Sequence, residues 1–145
     1  LADMVSYLDC LVSLTEVAIE NHYVKPTFNN ERRIRIINGR HPVIEHVMKD
    51  KRYVPNDIIM ERDTDILVIT GPNTGGKTVL LKTVGLLSLM TKCGLLIPAD
   101  EDSNIMIYDK VCCDIGDDQS IQANLSTFSS HMKNITDIII FFTIY

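Results

Sequence analysis

Glycine and proline are scarce in this chain, seven and five in 145 residues, and with 46% hydrophobic residues that excludes a disordered chain. No two cysteines form a C-x-x-C pair. Cys10 and Cys93 stand alone, and Cys112 and Cys113 are adjacent, so their side chains diverge if the segment is extended. This spacing offers neither a zinc site nor a disulfide framework, and buried free thiols in a reducing cytosol are expected. No signal peptide and no long apolar span is legible, and the apolar tail "DIIIFFTIY" is too short to cross a membrane. Excess positive charge is missing too. With a net charge of -5, the chain is not expected to carry a broad phosphate-binding face of its own. Any nucleic acid would be held mostly by chain not present here.

What is there fits one core of ordinary size. Residues 1–21 read as a helix, with Leu1, Val5, Leu8, Val12 and Val17 along a stripe that Leu11 and Leu14 widen. The helix starts without a cap, as though cut from something longer, and Pro26 closes the segment. "RIRIING" alternates basic residues with Ile34 and Ile36, as a half-exposed strand does. A short strand is expected at residues 58–61. "DILVIT" reads as a fully apolar strand of the buried parallel type. Leu80, Leu81, Val84, Leu87 and Met90 then recur at helical spacing up to Gly94, a natural stop. "LLIPAD" and "NIMIYD" read as strand-like, and "DIGDDQSIQAN" as polar and irregular. "LSTFSSHMKNITDIII" opens with capping residues and continues with Phe128, Met132, Ile135 and Ile138 at helical spacing.

Gly71, Pro72, Asn73, Thr74, Gly75, Gly76, Lys77 and Thr78 match the phosphate-loop pattern G-x-x-x-x-G-K-[ST] in full, between an expected strand and an expected helix. Glycines let the backbone turn tightly, so that successive N–H groups point at phosphate oxygens, and the helix adds its positive end. Lys77 is expected to reach the β- and γ-phosphates, and Thr78 to place its hydroxyl on Mg²⁺. Binding alone does not hydrolyse. Turnover needs an acid on the metal and a group that orients water. Strand-end acids are few: Asp109 is followed by Lys110, Asp114 closes "VCCD", and Pro98 interrupts "LLIPADED". Each is more often a solvated carboxylate. A small GTPase is disfavoured, because neither N-K-x-D nor D-x-x-G occurs.

"TGPNTGGKTVLLKTVGLLSLMTKCGLLIPA" and "DIGDDQSIQANLSTFSSHMKNI" resemble the ATPase domain of the MutS family. Within it, "GPNTGGKT" and "LSTFSSHM" look most like the branch that carries a C-terminal Smr endonuclease domain. The flank, "LDCLVSLTEVAIENHYVKPTF" through "INGRHPVIE" to "YVPND", looks more like the mismatch-recognising branch. The resemblance runs from Leu1 to about Ile138. It implies an ABC-type P-loop ATPase that dimerises head to tail around two ATP molecules. Ser126 of "STF" would then reach the γ-phosphate of the partner's ATP, besides capping its own helix. Tyr53 of "YVPND" would stack on adenine, and Asn73 takes the family's asparagine position. Arg40 and His41 of "GRHP" read as a structural turn, His131 as a surface or interface residue, and Arg32, Arg33 and Arg35 as a solvated strand face.

The expectation is therefore an α/β, P-loop NTPase fold of ABC type, incomplete at its C-terminus. Residues 1–25 would be the end of a helical domain, and residues 26–145 a partial ATPase domain. The family continues to a strand ending Asp-Glu, whereas "IIIFFTIY" does not match it. The resemblance implies ATP and Mg²⁺ as cofactors, DNA as a partner through domains absent here, a homodimer, no membrane, and a bacterial cytosol. The parent function would be an ATP-driven DNA transaction, in mismatch repair or recombination control. For the fragment itself, ATP binding without efficient turnover stands beside a rival reading, an incompletely folded piece.

Overall fold

A computed structural model describes residues 1–48, 53–115 and 124–144, except the side chains of Asn73 and of residues 124–128, 130 and 141–144. The chain divides into two compact units, Leu1–Val111 and Cys112–Tyr145.

The first unit opens with helix α1 (Ala2–Glu20). A four-stranded sheet follows, made of β1 (Thr27–Asn29), β2 (Ile34–Gly39), β3 (Asn56–Met60) and β4 (Asn104–Met106) in the order β1-β4-β2-β3. β1 runs parallel to β4, and β2 runs antiparallel to both β4 and β3. The alternation in "RIRIING" sets the register. Ile34 and Ile36 are buried while Arg35 faces solvent, and Ile36 stands opposite Ile58 while Ile34 stands opposite Ile105. Helix α2 (Pro42–Val47) connects β2 toward β3, and helix α3 (Lys77–Lys92) lies against the sheet.

The core comprises Ile34, Ile36, Ile58, Leu87, Ile97, Ala99 and Ile105, with Leu80, Val84 and Met90 of α3 packed against it. Each fully buried Ile or Leu contributes roughly 1.5–3 kcal/mol. The helical stripe anticipated for α3 holds except at Leu81, which is 51% exposed. Thr83 and Ser88 are buried on α3, and each returns its hydroxyl to the carbonyl four residues earlier, Val79 and Val84.

The second unit contains helix α4 (Asn124–Ile144), in which Asp114 and His131 meet as described below. Among the described residues no helix is long and apolar enough to cross a membrane.

Four expectations are corrected. Residues 65–70 form no strand, and Ile66 and Val68 are 78% and 76% exposed. A parallel strand takes its hydrogen bonds from neighbours on either side, and no described strand pairs with this one. "LLIPAD" gives only an isolated bridge, Ile97 to Val24, although Ile97 is fully buried. The apolar stripe of α1 is exposed throughout, because little of the described chain covers it, and the buried residue of that helix is Ala18, outside the stripe. The four cysteines are exposed, not buried: Cys10 lies on the open length of α1, and Cys93, Cys112 and Cys113 lie outside the helices and strands.

Candidate functional site

Between the apolar segment and α3 the chain makes a tight loop. A single 3-10 turn, Asn73–Gly75, leads to Gly76, whose φ of 77° is the left-handed conformation that glycine adopts without a Cβ penalty. That turn makes Gly76 the N-cap of α3, and a glycine has no side chain to cap the helix's first N–H groups. Lys77, the first residue of α3, folds its ammonium back over the loop. Its Nζ donates to the carbonyl oxygens of Gly71 at 2.5 Å and Pro72 at 2.7 Å.

This loop forms one wall of a cleft of about 730 Å³. Gly71, Pro72, Thr74, Gly75, Gly76 and Lys77 line it on the loop side, and Ile44, Met48, Tyr53, Val54 and Asn56 on the other. Among its described lining residues Lys77 is the one charged side chain, and no carboxylate appears.

The second wall is built by α2 and Tyr53. Pro42 at the first helical turn and His41 at the N-cap start α2, with the His41 Nδ1 accepting from the Ile44 N–H at 3.4 Å. Burial pushes the His41 imidazole below its ordinary pKa and the charge of Lys82 adds to this, against an opposing backbone hydrogen bond, so the ring is held in its neutral, accepting form. The backbone N–H of His41 donates to the hydroxyl of Tyr53 at 3.0 Å. Arg40 gives its guanidinium to Glu45 at 2.9 Å and to the carbonyls of Asn21 and His22 at 3.1 and 3.0 Å. The "GRHP" element is thus structural, as its sequence suggested.

The structure therefore brings Tyr53 together with Gly71, Pro72, Thr74, Gly75, Gly76 and Lys77. Thr78 is exposed on the first turn of α3 and does not line the cleft. The Asn73 and Ser126 side chains and residues 116–123 of the polar stretch lie outside the described set, although Ser126 falls within α4. Asp109 is exposed, three residues beyond β4, and lines no part of the cleft. In the second unit Asp114 accepts from Asn134 at 3.2 Å and pairs with His131 at 2.5 Å. Those two bonds, Asn134 first, hold its carboxyl below the usual range. Sequence reasoning did not find Ile44 and Met48 in the cleft. Their only signal was an apolar pair at helical spacing in "PVIEHVM".

A family profile for MutS domain V matches residues 67–143, more than half of the chain. The chain belongs to the MutS family. The match passes Ile138 and takes in most of the apolar tail, which corrects the expectation that "IIIFFTIY" does not match the family. Endonuclease MutS2 of Clostridioides difficile (strain 630) is 50% identical over 137 residues, 94% of this chain and 17% of that protein. Endonuclease MutS2 of Caldicellulosiruptor saccharolyticus is 53% identical over 131 residues, 90% of this chain and 16% of that protein. Endonuclease MutS2 of Finegoldia magna is 48% identical over 137 residues. The 94% coverage takes in the flank as well as the loop, so the flank does not set this chain apart from those MutS2 proteins. The chain spans about a sixth of the length of the curated relatives it matches.

Proposed function

We propose that the cleft between Tyr53 and Lys77 is the ATP site of a MutS-type ATPase domain. One observation carries this reading: a tyrosine ring and a phosphate loop, distant in sequence, line a single cavity of about 730 Å³ whose one described charge is a lysine. Ligand clefts typically run about 300–1,000 Å³. The residues fit the ligand in kind. The tight glycine loop at the start of α3 suits a triphosphate, and Tyr53 with Ile44 and Met48 suits an apolar base. Lys77 would hold the terminal phosphates. Thr78, on the first turn of α3 but outside the cleft lining, offers the loop's hydroxyl for Mg²⁺ only if its side chain turns toward the phosphates, where the ion would neutralise charge on their oxygens.

No described carboxylate lines the cleft, and efficient phosphoryl transfer needs one on the metal. ATP binding with little turnover is the reading we propose for these 145 residues. In the head-to-tail homodimer we propose, Ser126 acts on the partner's γ-phosphate. The name of the relatives, Endonuclease MutS2, favours the endonuclease-bearing branch, with DNA as the partner of the whole protein in repair or recombination. The decisive experiment is calorimetric titration with Mg²⁺–ATP, paired with phosphate release. Saturable binding without release above background is the expected result, and no binding refutes the site.

A further inference from the structure

We infer that Arg40 is a positioning residue for the base-binding wall, tying Tyr53 to the C-terminal end of α1. The inference rests on the nucleotide reading of the cleft and adds a residue outside it. Arg40 does not line the cavity. Its side chain is only 18% exposed and serves three acceptors at once: the Glu45 carboxylate and the carbonyls of Asn21 and His22. Its backbone is fixed as well, because the Arg40 N–H donates to Pro98 at 2.9 Å.

The α1 side of this clamp carries strain. α1 ends with the Tyr23 N–H on the Ala18 carbonyl and the His22 N–H on the Ile19 carbonyl, which places His22 at the left-handed position that glycine usually fills. Its φ is 55°. A non-glycine residue there is strained and persists where surrounding contacts over-determine it. No basic residue lies in the last turn of α1, so Arg40 supplies from afar the cation that the C-terminal carbonyls attract.

The cleft side follows from chain continuity. Arg40 precedes His41, whose N–H holds the Tyr53 hydroxyl, and Glu45 follows Ile44, which lines the cleft. Gripping Glu45 therefore fixes both ends of the first turn of α2, and with them the seat of the tyrosine ring. A guanidinium fork can meet three acceptors in a plane, whereas an ammonium cannot hold the same geometry.

The test compares Mg²⁺–ATP with Mg²⁺–tripolyphosphate, which engages the loop but has no base, on the full chain. Arg40→Ala should weaken ATP binding about tenfold, the scale of one lost aromatic stacking contact. Tripolyphosphate binding should stay within about twofold. Glu45→Gln keeps an acceptor and should bind ATP nearly as the parent does, whereas Glu45→Ala should follow Arg40→Ala. In Tyr53→Ala the Arg40 change should cost nothing more, because the ring it seats is gone. Equal loss of both ligands overturns the inference, since a weakened fold gives that result. Unchanged ATP affinity overturns it too, as does full additivity with Tyr53→Ala. Failure of the parent chain to bind ATP refutes the site itself, a result distinct from all of these.

Discussion

The ammonium of Lys77 lies 2.7 Å from the carbonyl oxygen of Pro72, within the same loop whose glycines turn the chain into α3. A lysine placed this way holds its charge at the loop, with backbone carbonyls among its acceptors. Phosphate oxygens are stronger acceptors for it. Lys77→Ala is expected to abolish Mg²⁺–ATP binding by calorimetry. Its effect on stability should be within about 0.5 kcal/mol, as for a side chain outside the core. Equal ATP affinity in variant and parent would refute the role.

Tyr53 separates two contributions. Tyr53→Phe keeps the ring and loses the bond from the His41 N–H. Tyr53→Ala loses both, and stacking on a base is worth about 1–3 kcal/mol. The alanine variant should therefore bind ATP roughly 5- to 150-fold more weakly, with the phenylalanine variant in between. If the two variants are equally impaired, the hydroxyl rather than the ring carries the interaction.

His41 predicts a pH dependence. Its pKa in the fold lies below the ordinary 6.5, so the unfolded chain takes up the proton more readily. The stability this gives is fully present above about pH 6.5 and is lost as pH falls through that value toward the lowered one. Protonation also removes the acceptor that caps α2. His41→Asn should keep the cap and flatten the response, whereas His41→Ala should cost about 1 kcal/mol at neutral pH. Thermal melts of each variant at pH 7.5 and 5.5 check both.

Asp114 titrates lower. Hydrogen bonds from Asn134 and His131 depress its pKa from 3.8, so its contribution is present above that value and disappears as pH falls through the lowered one. Carboxyl chemical shifts of Asp114, followed with amide exchange in α4, should change together on acidification. Asn134→Ala should move the Asp114 midpoint upward. An unmoved midpoint would show that the bond does not form in solution.

Gly39 tests the sheet. A Cβ there would lie 2.6 Å from the Ile36 Cγ2 and 3.3 Å from the Asn56 carbonyl oxygen. Both neighbours are held, Ile36 in the core and Asn56 in the β2–β3 pairing. Gly39→Ala should destabilise by about 1–3 kcal/mol in urea unfolding, the range for overpacking.

By itself the sequence determined the local elements whose cause is local. The strand at Ile34 and Ile36 follows from two-residue alternation. The helix after Lys77 follows from the spacing of Leu80, Val84 and Leu87, and the tight turn before it from its glycines. Family membership was legible for the same reason, in contiguous residues. Only the tertiary structure decided which walls meet. Tyr53 and Lys77 share a cleft because β2, α2 and β3 return the chain to the loop, and no local pattern encodes that distance. It also decided what "DILVIT" became. An apolar run has strand propensity, but a strand exists only when a neighbour accepts and donates its hydrogen bonds, and no described neighbour does so. Exposure of the α1 stripe and of the cysteines has the same origin. Periodicity marks a face that can be buried, and only packing settles whether something covers it.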